Sequence, residues 1–436
     1  MPNINSFNKD WDIIVVGTGA GGATVAREMA RRDRSVLMLE KGANNKWIGS
    51  HLPALFFVDK GGFLYSKEGI NIIRAITTGG STLVFTGTAA RPPAWLAEKY
   101  NIDISAEVED TEKELRIQPL PEHLIGKSSF RVMEAANELG FRWEFLPKFI
   151  DPEKCIPHCS KCIIGCRRGA KWTAREYIKE AVQKGAVLKT RTDVREVIVD
   201  GGVAVGVRAH SGGSAVEYRG KTVVVSAGGL GTPPILQRTG IGEAGREFFC
   251  DPAILTYGRI KGRGTNYAVP MTVGSYEFYD SDGIMLSHLI DTRITFLQQM
   301  FVKGFSHLPK WLFYDNTLGI MTKAKDDIKG QVNLDGTFSK PLTNTDIAKL
   351  DKGAAVAKKI LTAAGVDSNT IFSTAVRGTH PGGTARIGRV VNSDLQTEIK
   401  NLYVCDASVF PESPDRPMVL MIIGMAKRLA KKLSQN

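Results

Sequence analysis

The chain has 436 residues, of which 43% are hydrophobic and 23% are charged. These proportions are typical of globular proteins and exclude disorder as the main state, and the length allows two or three domains. The formal net charge of +12 suits an anionic cofactor, an anionic substrate or an acidic partner. No run of five or six like charges occurs, and no basic stretch is interleaved with aromatic residues, so nucleic acid is not an expected partner.

The sequence shows no signal peptide near its start and no membrane-spanning stretch near its end. The first residues, MPNINSFNKDWD, lack the charged, apolar and small-residue regions of a signal peptide. The apolar stretch from Met418 to Ala426 is too short to cross a bilayer. The sequence therefore predicts a soluble, cytoplasmic protein without a transmembrane segment.

A compact βαβ unit is predicted at the start of the chain. The strand that begins at Trp11 is short, apolar and rich in β-branched residues, and it breaks at Gly17. Residues 20–32 then show the small and apolar pattern of a helix, and residues 35–39 form a second strand that ends at Glu40. A glycine-rich turn between a strand and a helix is the context that makes a dinucleotide-binding motif specific.

The glycines of this turn fit a dinucleotide site. Gly17, Gly19 and Gly22 have the G-x-G-x-x-G spacing, which permits a tight turn, a close approach of a pyrophosphate and close packing of helix on strand. The helix begins at Ala20, where free N–H groups meet the phosphates. Glu40 is placed to accept a hydrogen bond from a ribose 2′-hydroxyl, which argues against NADP and leaves NAD and FAD open.

The middle of the chain alternates between helical and strand-like patterns. Residues 44–100 are rich in loops, residues 105–139 are mostly helical, and a helix is predicted over residues 173–184. Residues 187–225 alternate or run apolar between glycine turns, which predicts a β-meander that ends in a buried strand. Residues 250–345 contain many aromatics and scattered glycines, and are typical of a second domain of mixed strands and helices.

The end of the chain again alternates between helix and strand. Residues 345–364 predict an amphipathic helix. Residues 401–433 predict a buried strand, a proline-rich turn and a closing helix. No internal repeat or low-complexity segment is present in the sequence.

Four of the six cysteines fall within twelve residues and predict a metal centre. Cys155, Cys159, Cys162 and Cys166 form C-x3-C-x2-C-x3-C, and four thiolates at such short spacing can surround one compact centre. Soft thiolates select iron–sulfur clusters or zinc, but tetrathiolate zinc sites more often use two C-x2-C pairs with a longer insert. We therefore expect a [4Fe–4S] cluster, with structural zinc, disulfides or free thiols as the alternatives.

Further segments share a pattern of glycines and small residues. They are residues 78–84 (TGGSTLV), 185–194, 226–242 and 378–388 (GTHPGGTARIG), followed by residues 401–408 and the closing helix. In this order they resemble the glucose–methanol–choline (GMC) family of flavin oxidoreductases. Some relatives in that family, the long-chain alcohol oxidases, carry a similar cysteine-rich stretch before a Gly-Ala-Lys segment. Residues 250–345 match the family only loosely, as expected of the region that selects the substrate.

The resemblance implies a fold and a cofactor. It implies an α/β protein in which a Rossmann-like FAD-binding domain is joined to a discontinuous α+β substrate domain, and it selects FAD over NAD. Beyond the N-terminal turn and Glu40, the residues implied to bind FAD are Gly79, Gly80, Ser81, Val194, Ala227, Gly228, Asp406 and Ala407. For Asp406 the alternative is a helix or turn cap. The implied domain order is residues 1–100 (FAD-binding, first part), 101–172 (helical and cysteine-cluster insert), 173–249 (FAD-binding, second part), 250–370 (substrate domain) and 371–436 (FAD-binding, third part, with the catalytic loop).

His380 is the predicted catalytic base. Oxidation of an alcohol needs a base for the hydroxyl proton while hydride leaves the carbon for flavin N5, and the pKa of histidine suits that role. His380 lies in a Gly/Thr/Pro-rich loop and, by the resemblance, at the family's catalytic histidine position; the alternative is a loop histidine that only caps structure. Where the family usually has His or Asn before a closing proline, this sequence has Arg416. Arginine cannot act as a base, so we expect Arg416 to recognise an anionic substrate or product.

The sequence therefore predicts an FAD-dependent dehydrogenase that oxidises the CH–OH group of a small alcohol or hydroxy acid and passes electrons on through the [4Fe–4S] cluster. Basic residues around the cysteines are expected to attract an acidic one-electron carrier such as a ferredoxin, although a solvated basic face is the alternative for each of them. These residues are Lys154, Lys161, Arg167, Arg168 and Lys171. The alternative functions are an oxygen-using flavin alcohol oxidase with structural cysteines and a non-catalytic flavin electron-transfer subunit.

Overall fold

Two large sheets with helices packed on them make up the fold in the computed structural model, which describes residues 10–262 and 268–435. Residues 1–9, which make up most of the N-terminal segment without signal-peptide features, lie outside the described residues. The strands are β1 (Trp11–Val16), β2 (Val36–Leu39), β3 (Asn71–Ile72), β4 (Glu144–Phe145), β5 (Val187–Lys189), β6 (Thr192–Asp200), β7 (Val203–Ser211), β8 (Ser214–Val225), β9 (Pro252–Arg259), β10 (Val273–Ser275), β11 (Ile284–His288), β12 (Thr317–Ala324), β13 (Gln331–Val332), β14 (Phe338–Ser339), β15 (Phe372–Ser373), β16 (Arg377–Gly378) and β17 (Leu402–Val404).

The helices cover the outer faces of these sheets and connect them. None of them, over the residues that the structure describes, is long and apolar enough to cross a membrane. The helices are α1 (Ala20–Ala30), α2 (His51–Ala54), α3 (Trp95–Tyr100), α4 (Ser105–Glu114), α5 (Lys127–Glu138), α6 (Ala174–Gln183), α7 (Thr232–Arg238), α8 (Tyr279–Asp282), α9 (Arg293–Lys303), α10 (Asn344–Ala363) and α11 (Val419–Leu433).

The first sheet is the Rossmann-like sheet. Its strand order is β5-β2-β1-β8-β7-β6, and β17 also pairs with β8. Strands β5, β2, β1, β8 and β17 run parallel, whereas β6, β7 and β8 form the antiparallel meander predicted from the sequence. Ile14 and Val15 at the centre of β1 are fully buried, and α1 packs against both α6 and α11. This burial explains the apolar run that the sequence shows there, because parallel strands are covered on both faces.

The second sheet is mainly antiparallel. Its order is β3-β16-β9-β12-β11-β10-β4, with β15 also paired to β9. Its strands come from separate parts of the chain, residues 71–72, 144–145, 252–324 and 372–378, and α10 packs on β9, β11 and β12. The predicted architecture, a Rossmann-like α/β unit joined to a discontinuous α+β unit, is confirmed.

Candidate active site

A large cavity is lined by residues of both sheets. Its volume is about 1260 Å³, which exceeds the roughly 300–1,000 Å³ of most small-molecule pockets. The first sheet contributes the turn after β1 and the segment 226–231, and the second contributes side chains of β9 and β12. The cavity therefore has room for a dinucleotide with a substrate beside it.

The turn after β1 has the packing that a dinucleotide needs. A Cβ at Gly17 would lie 2.3 Å from the carbonyl oxygen of Ser226, and a Cβ at Gly22 would lie 2.1 Å from that of Gly17. At Gly19, by contrast, an added Cβ meets nothing within 4 Å, so open space remains in front of the N-terminus of α1. Two glycines thus allow close packing and the third leaves room for a phosphate group, as FAD requires.

Glu40 is a buried carboxylate held beside the same turn. Its Oε2 accepts hydrogen bonds from the backbone N–H of Thr18 at 3.1 Å and from its hydroxyl at 2.6 Å, and its Oε1 accepts one from Gly42 N at 2.7 Å. Burial raises the pKa of Glu40. Since each carboxylate oxygen has two lone pairs, Glu40 keeps acceptor capacity for a ribose hydroxyl.

The Gly-Gly-Ser segment contacts the first turn directly. Gly79 N donates to Thr18 Oγ1 at 3.1 Å, and a Cβ at Gly80 would lie 3.1 Å from the Cα of Gly19. Both Gly79 and Gly80 have positive φ angles, of 90° and 53°, which explains glycine at these two positions. Ser81 Oγ accepts from the backbone N–H of Ala75 at 3.2 Å.

Asp406 connects two other cavity segments. Its Oδ2 accepts from Gly228 N at 2.7 Å and from Thr232 Oγ1 at 2.6 Å, and its Oδ1 accepts from Ser408 N at 2.8 Å. These are the bonds of a turn cap, and they hold the backbone at Gly228 and Ala407 against the cavity. Gly22 and Gly79 do not line the cavity. The other residues predicted to bind FAD do: Gly17, Gly19, Ala20, Glu40, Gly80, Ser81, Val194, Ala227, Gly228, Asp406 and Ala407.

His380 faces the cavity and is held by a buried carboxylate. Its Nδ1 lies 2.8 Å from Oδ2 of Asp251, whose Oδ1 accepts a hydrogen bond from the hydroxyl of Ser413. With Nδ1–H donating to this carboxylate, Nε2 is free to accept a proton. Asp251 is fully buried and has a φ of 46° directly before Pro252, a strained backbone of the kind that clusters at functional sites.

Lys323 completes this group of charges. Its Nζ lies 3.3 Å from Nδ1 of His380, and the lysine is buried within β12. Burial lowers the pKa of Lys323 to about 8, while the charge of Asp251 opposes that shift. The pKa of His380 is lowered from its ordinary value of 6.5 by burial and by the nearby charge of Lys323. His380 is therefore neutral near pH 7 and able to accept a proton.

Sequence reasoning missed Asp251 and Lys323. Lys323 had a signal: every residue of β12 is buried, and a lysine inside an otherwise apolar strand is rare unless it is paired or functional. No signal in the sequence marks Asp251 as functional, because a carboxylate before a proline at the start of a strand is an ordinary pattern.

Arg416 lies away from this group. Its Nε donates to Pro414 O at 3.3 Å, its Nη1 donates to Arg91 O at 3.1 Å, and its guanidinium carbon stacks 3.4 Å from the centre of the Tyr279 ring. Burial lowers the pKa of Arg416 to about 9. The cavity lining includes Pro417 but not Arg416, so Lys323, rather than Arg416, is the cation placed beside the predicted base.

Asp415 is expected to be protonated in the folded protein. Burial and the nearby charge of Asp251 raise the pKa of Asp415 to about 9, from an ordinary value of 3.8. Stability is then lost as pH rises toward 9, because the unfolded chain releases this proton and the folded chain does not. Asp415→Asn should raise the free energy of unfolding at pH 8 by more than about 1 kcal/mol, since the amide is neutral and tolerates the φ of 51°.

Thermal or urea unfolding at pH 5 and pH 8 measures this effect. The stabilisation by Asp415→Asn should be larger at pH 8 than at pH 5. The control is Asp200→Asn, at an exposed position, which should alter the free energy of unfolding at neither pH. A variant that unfolds more easily than wild type at pH 8 would show that Asp415 is ionised.

The four-cysteine loop borders the cavity. Ile163 and Ile164, between the last two cysteines, line the cavity wall. All four thiols are free; Cys162 is buried, and Cys155 and Cys166 pack against the same apolar cluster. The pKa of Cys155 is raised to about 12, mainly by burial and then by its neighbouring thiols.

Within the described residues, no group of three or more His, Cys, Asp or Glu side chains is placed to hold a metal ion. The zinc alternative, which puts four thiolates on one ion, is not supported by this arrangement. A four-iron cluster binds each thiolate to a different iron, and so holds the sulfur atoms farther apart than a single ion does.

The prediction that Lys171 belongs to a basic surface around the cysteines is wrong. Lys171 is buried, and its Nζ donates to the carbonyl oxygens of Leu83 at 2.9 Å, Phe85 at 2.8 Å and Cys162 at 2.8 Å. Through these hydrogen bonds the ammonium group of Lys171 holds the cysteine loop against the segment after Ser81. It is therefore not exposed to a partner protein. The other four basic residues are exposed: Lys154, Lys161, Arg167 and Arg168.

Comparison with known proteins decides the family. Two family models, both described as GMC oxidoreductase, match residues 11–266 and 329–426. The chain belongs to the GMC oxidoreductase family. It is accordingly an FAD-dependent oxidoreductase that acts on CH–OH donors, and the resemblance of its glycine-rich segments to this family is confirmed.

Similar proteins align with nearly the whole chain. It is 28% identical to an uncharacterized protein of Methanocaldococcus jannaschii, over 97% of this chain and 100% of that one. It is 24% identical to a long-chain-alcohol oxidase of Arabidopsis thaliana, over 98% of this chain and 68% of that one. A crystal structure of pyridoxine 4-oxidase from Mesorbium loti aligns with a TM-score of 0.73 at 14% identity, over 98% of this chain and 100% of that one, which shows a shared fold.

Proposed function

We propose that the protein oxidises the CH–OH group of an apolar alcohol, with His380 as the base. The observation that carries this proposal is the group of His380, Asp251 and Lys323 at the wall of a cavity that continues to the glycine turn at Gly17. FAD, when bound, supplies the acceptor of the hydride. Every other role in the reaction falls to side chains of this chain.

His380 Nε2 takes the hydroxyl proton of the alcohol. Asp251 accepts the hydrogen bond of Nδ1–H, orients the ring and stabilises the imidazolium that forms, as the carboxylate of a catalytic triad does. Lys323 lines the same cavity, and its positive charge would stabilise the negative charge that develops on the substrate oxygen. Together these groups remove the proton while the carbon loses its hydride.

The wall beside His380 favours an apolar substrate. Ala253, Leu255, Met271, Leu289 and Met321 line this part of the cavity. The nearby charges of Arg377 and Asp291 neutralise each other through two hydrogen bonds of 3.0 and 2.7 Å, and the hydroxyl of Tyr257 also donates to Asp291. An aliphatic alcohol fits this lining better than a hydroxy acid does, and a relative named as a long-chain-alcohol oxidase agrees with that substrate class.

A series of substrates tests the proposal. Anaerobic FAD-loaded protein is mixed with primary alcohols of increasing length and with hydroxy acids of matched length, and the loss of the visible flavin absorbance is followed. Each methylene that enters the cavity should raise kcat/KM about fourfold until the cavity is filled, because burial of a CH2 contributes about 0.8 kcal/mol. Faster reduction by hydroxy acids than by alcohols would contradict the proposal.

The onward route of electrons is the second part of the proposal. Cys155, Cys159, Cys162 and Cys166 would hold a [4Fe–4S] cluster, which supplies one-electron transfer when bound. Its place is supported by the loop's position on the cavity wall at Ile163 and Ile164. The exposed basic residues on this loop would attract an acidic carrier such as a ferredoxin, which makes the enzyme a dehydrogenase rather than an oxidase.

Iron and acid-labile sulfide analysis tests this route. Anaerobically purified protein should contain about four irons per chain, and Cys159→Ser should lower that content. Cys250→Ala is the control, because Cys250 is buried in the second half of the chain, away from the loop. Protein without iron that is rapidly reoxidised by dioxygen, with release of peroxide, would instead make the enzyme an oxidase with structural cysteines.

A further inference from the structure

Exposed apolar side chains are concentrated on one face of the protein. Twelve of the nineteen large apolar side chains that are exposed in the described chain lie in residues 47–63 and 294–313, including every exposed Trp and Phe. We call this set the mouth face: Trp47, Leu52, Leu55, Phe56, Phe63, Ile294, Leu297, Phe301, Val302, Phe305, Leu312 and Phe313. A patch of this kind on a protein surface marks an interaction site.

The two segments of the mouth face meet at the entrance of the cavity. Gln298 Nε2 donates to the carbonyl oxygen of Gly62 at 3.3 Å, which joins α9 to the first segment. Leu52, Leu55 and Ile294 line the cavity and are also exposed to solvent. Whatever covers the mouth face therefore also covers the entrance of the cavity.

Helix α9 is apolar on two sides. Phe296 and Met300 are buried against the second sheet, whereas Ile294, Leu297 and Phe301 point outward at spacings of three and four residues. The outer side chains form one continuous stripe, because residues three and four apart lie on the same side of a helix. An exposed apolar stripe on the outer side of a helix is stabilised by a second apolar environment.

This face carries more positive than negative charge. Asp59, the one acidic residue within residues 47–63 and 294–313, pairs with Arg74, whereas Lys46, Lys60 and Lys303 are exposed beside the apolar side chains. A second copy of the same face would bring like charges together. An anionic lipid surface instead offers both an apolar interior and negative head groups, the pairing that interfacial helices use.

We infer that the mouth face docks on an anionic phospholipid bilayer, with the cavity entrance turned toward the lipid. Phe56, Phe301 and Phe305 insert into the boundary between head groups and acyl chains, and the three lysines contact phosphates. The chain binds the membrane surface without spanning it. An apolar alcohol dissolved in the lipid then enters the cavity without crossing water; this last step alone rests on the proposed substrate class.

Flotation with vesicles tests the docking. We expect the full chain to float with vesicles of phosphatidylglycerol and phosphatidylcholine, and much less with phosphatidylcholine alone or at high salt. Phe56→Ser combined with Phe305→Ser should weaken the partition at least about tenfold, since each exposed ring loses its burial in lipid. The matched control is Leu139→Ser combined with Ile347→Ser, two exposed apolar side chains outside the mouth face, which should bind as wild type.

Two outcomes would overturn the inference. The first is absence of flotation for wild type, or an equal loss in the control variant. The second is a concentration-dependent dimer that Phe56→Ser with Phe305→Ser dissociates while no variant binds vesicles, which would make the mouth face a contact between copies. Flotation needs no turnover, so its failure is distinct from a failure to oxidise alcohols.

Discussion

His380→Ala is expected to slow the reduction of bound FAD by an alcohol by about 10²–10⁴-fold, the usual contribution of a positioned base. The variant removes the group that takes the hydroxyl proton. It leaves the glycine turn intact, because the hydrogen bond of the His380 ring is to Asp251 and not to the turn. The protein should therefore bind FAD with an unchanged visible spectrum. Stopped-flow reduction under anaerobic conditions measures the rate directly.

His210→Ala is the matched control for this variant. His210 is exposed on β7, at a distance in sequence and structure from the second sheet, and its replacement should leave the rate unchanged. Rates for His380→Ala within a factor of a few of wild type would exclude His380 as the base. Proton removal would then belong to another group, whereas wild-type flavin that no alcohol reduces would favour a non-catalytic electron-transfer subunit.

Lys323→Met should lower the rate of flavin reduction by about 10²-fold and also move its pH dependence. The expected loss of rate follows from removal of a positive charge from the cavity wall, an effect comparable with removal of one oxyanion donor. In wild type, flavin should be reduced at the full rate above the pKa of His380, which lies below 6.5. The rate should fall as the pH drops through that pKa, because His380 is then protonated. Since the charge of Lys323 lowers that pKa, its removal raises the pKa and starts the acid loss at a higher pH.

The alkaline side of the profile should change as well. Wild type should lose rate above about pH 8 as Lys323 gives up its proton, and the variant should lack that decline. Lys325→Met is the control two residues away, where the lysine forms an ion pair with Glu412 instead of facing His380. An unchanged acid limb in Lys323→Met would contradict the assigned role.

Arg416 can be compared in the same assay. Arg416→Asn should affect an alcohol and its matched hydroxy acid equally, because the guanidinium binds the carbonyl oxygens of Arg91 and Pro414. A selective loss on the hydroxy acid would restore the role that sequence reasoning assigned to Arg416.

Local patterns explain what could be predicted from the sequence. The βαβ unit depends on residues adjacent in the chain, where an apolar strand, Gly17 and Glu40 follow one another within thirty residues. The meander of β6, β7 and β8 likewise follows from alternation between glycine turns. Such elements need no knowledge of distant contacts, so periodicity and turn residues suffice.

Distant contacts explain what could not be predicted. Asp251 reaches His380 across 129 positions of the chain, and Lys323 joins them only because β12 pairs with β9 so that Lys323 lies opposite Ala253. The sequence also does not show that Arg416 turns onto Tyr279 or that Lys171 is enclosed by backbone carbonyls. Register and side-chain direction decide these contacts, and both depend on tertiary packing.

In the proposed reaction, hydride leaves an alcohol carbon for the flavin while His380 takes the hydroxyl proton. The most direct test is the rate of anaerobic flavin reduction by a primary alcohol that carries deuterium at the reacting carbon. We expect a rate several-fold slower than with the protiated alcohol, because the C–H bond breaks as the flavin is reduced. Flavin that stays oxidised with every alcohol, or equal rates for the two isotopes that His380→Ala leaves unchanged, would contradict the proposed reaction.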